Sequence, residues 1–283
     1  MAGPVAFVLG GGGLLGAHEV GMLRALLEAG IVPDLVVGTS VGAINGVVVA
    51  EDPTTGAVQR LADLWLDLDS SDLFSGSVFG RLSTLARTRT SLHSLQPLRQ
   101  ALTSHLTART FEELYVPFQC VAANVERAAE HWFSRGPLVE AVLASCAVPG
   151  LLPPVEVDGQ TYLDGGLVHS IPVGRAVTLG ATTLYVLQVG RIEQPLAAPQ
   201  RPWEVGLVAF EVARRYRFAA DMASLPSGVT VHLLPTGVPE KAPDLRTQLR
   251  YRDRSAIARR IDSAYAATAT YLTRGSLGAG TED

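Results

Sequence analysis

Residues 5–50 read VAFVLGGGGLLGAHEVGMLRALLEAGIVPDLVVGTSVGAINGVVVA, and the order of residue types within them sets the fold class. Val5-Ala6-Phe7-Val8-Leu9 is a short unbroken apolar run, the pattern of a strand covered on both faces. Four glycines then turn the chain, and a helix is expected from about Ala17 to Ala29. Leu35-Val36-Val37 repeats the strand, and Gly38-Thr39-Ser40-Val41-Gly42 leads into an apolar helix ending near Ala50. Two strand-turn-helix units in tandem predict an α/β domain with a mainly parallel central sheet, right-handed crossovers and flanking helices.

Further along, a third helix is expected from Gly56 to Leu68. The stretch Asp69 to Leu92 is rich in Ser, Thr and Gly with scattered Phe74, Val78 and Phe79, and reads either as a lid or as an ordinary surface loop. Thr110 with Glu113 has the form of a capping box, and Pro117 to Asn124 that of a strand. Asp158-Gly159, between Val155-Glu156-Val157 and Thr161-Tyr162-Leu163, is a hairpin-turn signal that carries Asp164-Gly165-Gly166 to a strand end. Thr182 to Val189 and Val229 to Leu234 supply two more strands, with a helix from about Glu204 to Leu225 between them. A helix from Leu245 to Leu272 closes the chain, so that residues 1–274 read as one domain and 275–283 as a flexible tail.

Composition narrows the partners. With 47% hydrophobic and 18% charged residues in 283, the chain is more apolar than average, which suits both buried parallel strands and a lipid-facing protein. A net charge of −4 gives no general grip on nucleic acid. Cys120 and Cys146 are too few for a disulfide framework and lack the paired spacing of a zinc site. The N-terminal run breaks at Gly10 without a basic segment or cleavage site, and no apolar segment reaches the roughly 20 residues a bilayer span requires. A cytoplasmic location is the expectation. No clustered carboxylate loop implies calcium, and no cofactor or metal is expected.

Gly38-Thr39-Ser40-Val41-Gly42 has the form of a nucleophile elbow, a sharp strand-to-helix turn that lifts a serine hydroxyl above the sheet edge. Alone, the five residues are equally a helix start with a capping Thr or Ser. The strand before and the helix after supply the context a nucleophile requires. Gly10 to Gly16 also joins a strand to a helix, and its amides suit an anion. One reading is a dinucleotide cradle, with Gly11, Gly13 and Gly16 in G-x-G-x-x-G spacing and Asp34 for the ribose. The other is an oxyanion hole serving Ser40 at the same sheet edge. A nicotinamide enzyme has no use for that serine, which favours the second.

A nucleophilic serine needs a base. The elbow follows only the second strand, unlike an α/β-hydrolase, and His232 would point sideways from a strand. Asp164, at a strand end before Gly165-Gly166, is the better candidate, set against a plain turn aspartate.

In this order the glycine loop, G-x-S-x-G elbow and late D-G-G triplet resemble the patatin-like phospholipase family. His18 to Leu26, Ala144 to Pro154 and Asp164 to Pro172 add to the likeness, which covers roughly residues 5 to 190. The resemblance implies a lipid acyl hydrolase with a three-layer fold and a Ser-Asp dyad lacking histidine. Ser40 would be the nucleophile, Asp164 the base, and amides around Gly11, Gly12 and Gly13 the oxyanion hole, with Gly16, Gly38, Gly42, Gly165 and Gly166 supporting the turns. Two positions depart from the family pattern. Leu15 stands where an Arg or Lys is usual, and His169-Ser170 where Asn-Pro is common, which makes His169 a candidate accessory to Asp164. Arg246, Arg250 and Arg254, with Arg252, Arg259 and Arg260, are either a face for anionic lipid headgroups at a membrane surface or a solvated helix face. An acyltransferase or thioesterase using the same acyl-enzyme, and a noncatalytic lipid-binding protein, are the competing functions.

Overall fold

The two apolar runs of the opening stretch become the centre of a sheet. In the computed structural model, which describes residues 3–70, 93–189, 195–237 and 254–278, β1 (Val5–Leu9) and β2 (Leu35–Thr39) are parallel neighbours with Leu9 opposite Gly38. Between them lie a 3₁₀ turn over Gly13–Gly16 and helix α1 (Ala17–Glu28). Helices α2 (Val41–Glu51) and α3 (Thr55–Ser70) follow β2. The chain continues through α4 (Gln96–His105), β3 (Phe118–Asn124), β4 (Ala129–Phe133) and α5 (Leu138–Ser145). Next come the hairpin β5 (Val155–Val157) and β6 (Gln160–Asp164), then α6 (Val173–Thr178) and β7 (Thr183–Leu187). Helix α7 (Pro202–Ala223), β8 (Thr230–Leu233) and α8 (Arg254–Gly278) complete the described chain.

The sheet runs in the order β5-β6-β3-β2-β1-β7-β8, with β4 paired to β3. The strands from β3 to β8 along this order are parallel, whereas β4 and β6 run antiparallel to β3 and β5 to β6. Alternation along the central strands separates two apolar layers. Phe7, Leu9, Val36 and Leu187 face a core shared with α1, α2, α3, α4, α5 and α8. Ala6, Val8, Val37, Leu184 and Val186 face a smaller core closed by Val173 and Ala176 of α6 and Phe218 of α7. The result is a single three-layer α/β domain.

Several expectations require adjustment. Only a three-residue 3₁₀ turn, Phe111–Glu113, follows Thr110, whose side chain makes no cap bond. Glu113 instead accepts from the Arg109 amide at 2.7 Å, so the capping-box reading fails on the geometry of the turn. The tail expected from Gly275 is helical as far as Gly278. The start of that helix at Leu245, and the lid or loop of residues 71–92, lie outside the described residues, while Asp69 and Ser70 still belong to α3. The short helices α4, α5 and α6 and strand β4 are not predicted by the sequence pattern, because elements of five to ten residues carry little periodic signal. Among the described residues no helix is long and apolar enough to cross a membrane.

Candidate active site

The register of β3 brings the predicted residues together. Strand β4 occupies one edge of β3 from Cys120 to Asn124. The other edge pairs with β2 as far as Val121, opposite Thr39, and then with β6 from Ala122, opposite Asp164. One step along β3 therefore separates the end of β2 from the end of β6. Across that step Ser40 Oγ donates to Asp164 Oδ2 at 2.6 Å. Asp164 Oδ1 accepts from the Gly166 amide at 2.7 Å, which fixes the orientation of the carboxylate.

Asp164 is 2% exposed and Ser40 8%. Burial pushes the Asp164 pKa up to about 6, against the opposing hydrogen bonds from Ser40 and Gly166 and the positive charge of Arg214. A carboxylate so tuned is a better proton acceptor near neutrality than a free aspartate.

Ser40 sits at φ 54° and ψ −122°, a left-handed conformation costly for a residue with a Cβ. Its surroundings hold it there. The Ser40 amide donates to Ser145 Oγ at 2.9 Å, and the Ser40 carbonyl accepts from Ala43 at 2.8 Å as α2 begins. A Cβ at Gly42 would overlap the Leu9 carbonyl, so close passage of α2 over β1 requires glycine there. Thr39 Oγ1 donates to the His169 carbonyl at 2.7 Å, and the Asp164 amide to the Ala147 carbonyl at 2.9 Å. The segments around Ser145 and His169 thus clamp the serine turn and the aspartate. Sequence patterning gave Ser145 and Thr39 no individual role, since a buried hydroxyl has no periodic signature.

The glycine loop begins at the carboxyl end of β1, beside Ser40. The Gly10 amide donates to the Leu187 carbonyl at 3.0 Å and the Gly11 amide to the Ser170 carbonyl at 2.8 Å. Of the amides expected around Gly11, Gly12 and Gly13, that of Gly11 is therefore engaged in holding the loop. No acceptor among the described residues takes the amides of Gly12 or Gly13. Gly13 adopts φ 58°, which turns successive amides toward a common side. A buried carboxyl underlies the loop: Glu19 Oε2 accepts from Asn45 Nδ2 at 2.7 Å, and Asn45 also donates to the Gly16 carbonyl at 3.0 Å. Complete burial holds the Glu19 pKa well above the usual carboxylate range. His18 Nδ1 donates to the Leu15 carbonyl at 2.9 Å, and burial lowers its pKa to about 4.

The dinucleotide reading fails at Asp34. This residue precedes β2 at the amino end of the sheet, where its carboxylate accepts from the Val5 amide at 2.8 Å, across the length of the strand from the glycine loop. His232 stacks on Tyr185 at 4.6 Å and shares a 3.1 Å hydrogen bond with Tyr271, away from Ser40. The His169 imidazole faces Asp221 at 3.4 Å and lies edge-on to Trp132, and its backbone carbonyl accepts from Thr39, the residue before Ser40. Of the late arginines, Arg246, Arg250 and Arg252 lie outside the described residues, and Arg260 reaches the Leu14 carbonyl at 3.5 Å rather than projecting outward.

Comparison with known proteins gives the family of the chain. A family model described as patatin-like phospholipase matches residues 7–177. The chain belongs to the patatin-like phospholipase family. "Lysophospholipase nte1" of Emericella nidulans is 32% identical over 193 residues, 67% of this chain and 12% of that protein. Human "patatin-like phospholipase domain-containing protein 6" is 32% identical over 201 residues, 66% of this chain and 13% of that protein. The chain thus spans only a small part of the length of these relatives. Among solved structures, VipD from Legionella pneumophila superposes with a TM-score of 0.50 at 15% identity, covering 96% of this chain and 67% of that one. That likeness concerns the fold alone.

Proposed function

We propose that this domain hydrolyses carboxylic esters of lipids by a Ser40–Asp164 dyad. The observation that carries the reading is the 2.6 Å hydrogen bond from Ser40 Oγ to Asp164 Oδ2 at a buried sheet edge, beside the glycine loop. Ser40 Oγ attacks the ester carbonyl carbon while its proton passes to Asp164. The carbonyl oxygen takes the negative charge, and the Gly12 and Gly13 amides donate to it, assisted by the N-terminus of α2. Collapse breaks the ester bond, and the leaving alkoxide takes the proton back from Asp164, leaving an acyl-Ser40 ester. Water, deprotonated by Asp164, then attacks the acyl carbon; the bond to Ser40 Oγ breaks, Oγ takes the proton back from Asp164, and the fatty acid is released.

No histidine enters this cycle. The Gly166 hydrogen bond holds one carboxylate oxygen and leaves the other for the serine, so orientation is supplied by backbone where a triad uses a third side chain. The naming of the Emericella relative as a lysophospholipase supports a lipid ester as substrate class.

The test is hydrolysis of an acyl p-nitrophenyl ester series and a phospholipid panel by wild type, Ser40→Ala and Asp164→Asn, each checked for folding. Both variants should lose turnover by about 10³-fold or more while staying folded. Wild-type rates in Ser40→Ala would contradict the mechanism and turn attention to a noncatalytic lipid-binding role. Transfer of the acyl group to an added alcohol or thiol in preference to water would identify an acyltransferase on the same acyl-enzyme.

A further inference from the structure

Helix α7 lies across the segment that follows Asp164, and its inward residues Phe210, Arg214 and Phe218 recur at i, i+4 spacing. The flanking contacts fix where Arg214 stands. A Cβ at Gly166 would lie 2.8 Å from the Phe210 ring. Phe218 packs in the smaller core with Ile171 and Val173. One turn further, Asp221 approaches Gly174 and the His169 imidazole. Arg214 is thereby held over the Gly166 to Ile171 segment, near the carboxyl edge of the sheet.

Arg214 is only 6% exposed. Its Nη1 donates to Glu211 at 2.9 Å. Nε and Nη2 are buried and have no hydrogen-bond partner among the described residues. The guanidinium charge bears on two carboxyls, that of Asp164 and that of Glu19, which belongs to the helix layer on the opposite face of the sheet. The packing of Phe210 against Gly166 and of Phe218 with Ile171 puts Arg214, between them on the helix, over the segment that follows Asp164.

Nε–H and the adjacent Nη2–H of an arginine are parallel donors, a fork that matches two oxygens of one phosphate. Leaving buried donors unmade costs free energy, more so on a charged group. Among the described residues no carboxylate bonds to the fork: Glu211 engages Nη1, the Asp164 oxygens are taken by Ser40 and Gly166, and Glu19 accepts from Asn45.

We propose that Arg214 is the anion-recognition residue of this site, its Nε–H and Nη2–H gripping the phosphate of a phosphate-bearing acyl glycerol whose ester carbonyl meets Ser40. The assignment rests on the hydrolase reading for its substrate, but its test does not depend on turnover.

Affinities are measured by calorimetry in the Ser40→Ala protein for hexanoyl glycerol phosphate, hexanoyl glycerol, hexanoate and inorganic phosphate. The phosphate-bearing lipid should bind at least about tenfold more tightly than hexanoyl glycerol, a bidentate charge-assisted contact being of that order. Added Arg214→Met should bring the ratio close to one, and Arg214→Lys should leave an intermediate ratio, because charge remains but the fork is lost. Should Arg214→Met misfold, the lysine variant and competition by inorganic phosphate in Ser40→Ala decide the matter. An unchanged ratio in the folded Arg214 variants overturns the proposal. So does binding of inorganic phosphate as tightly as the lipid, which marks an ion site only, or preference for hexanoate over phosphate, which marks a product site. If wild type hydrolyses no ester yet the ratio and its loss are observed, the hydrolase reading fails and the anion site stands.

Discussion

Asp164 binds a proton more tightly in the folded chain, with a pKa of about 6 against an ordinary 3.8, because burial disfavours its charge. In the window between those values the folded state holds more protons than the unfolded state, so this group's effect on stability becomes less favourable as pH rises. The shift corresponds to about 3 kcal/mol of destabilisation above pH 7. Asp164→Asn should therefore unfold at higher denaturant concentration than wild type at pH 8, by up to about 3 kcal/mol, with the difference shrinking toward pH 4. Equal denaturation midpoints at both pH values would contradict the shift. The same titration governs activity: kcat/KM should climb about tenfold per pH unit below pH 6 and level off above it, since the ionised carboxylate is the base. Ser145 tests the support of the turn. Ser145→Ala leaves the Ser40 amide without its 2.9 Å acceptor, which should cost about 1–3 kcal/mol of stability and lower kcat.

At the scale of elements, close backbone passage explains which glycines matter. A Cβ at Gly42 would overlap the Leu9 carbonyl, and one at Gly165 the Val121 carbonyl, both backbone groups of central strands. Gly42→Ala and Gly165→Ala should each destabilise by several kcal/mol, on the order of a severe packing defect. Gly136, at φ 76° with open space around it, should lose only about 1 kcal/mol on the same change, measured by urea unfolding. This contrast also marks what was legible in the sequence. The β1-loop-α1 and β2-turn-α2 units were readable because unbroken apolar runs, glycine turns and helical spacing agree locally. Asp158-Gly159 announced its hairpin, and both residues do adopt positive φ, 50° and 71°. What could not be read was register. That Asp164 falls one pairing step beyond Thr39 on β3 is a property of three strands at once, and the commitment of the Gly11 amide to Ser170 depends on a contact between distant segments. Arg214 was hidden for a related reason, because an arginine beside Arg215 and Arg217 on one helix looks like surface until its burial is known.

For the molecule as a whole, the family match ends at residue 177, yet the later helices are built into the same body. Helix α8 packs along α1 so closely that a Cβ at Gly21 would overlap the Ile261 carbonyl, and Tyr265 Oη donates to Glu28 at 2.7 Å. Ile257 and Ala264 are buried in the larger core alongside α1 residues such as Val20 and Leu23. A chain ending at Gly237 should therefore expose the α1 face and lose its cooperative unfolding transition, read by circular dichroism on heating. Retention of wild-type cooperativity would mean that α8 is an independent appendage. This helix was legible but its partner was not, since the apolar stripe of α1 can be read while the identity of the element that covers it cannot.

Trapping of the nucleophile tests the central claim most directly. The folded wild type and Ser40→Ala are incubated with an alkyl fluorophosphonate, which transfers its phosphonyl group to an activated serine and expels fluoride, and their intact and peptide masses are measured. A single adduct on the peptide containing Ser40, absent from Ser40→Ala and slowed in Asp164→Asn, is the predicted result. A wild type that takes no label, or takes it on another residue at an undiminished rate in Ser40→Ala, would contradict the assignment of Ser40 as the nucleophile.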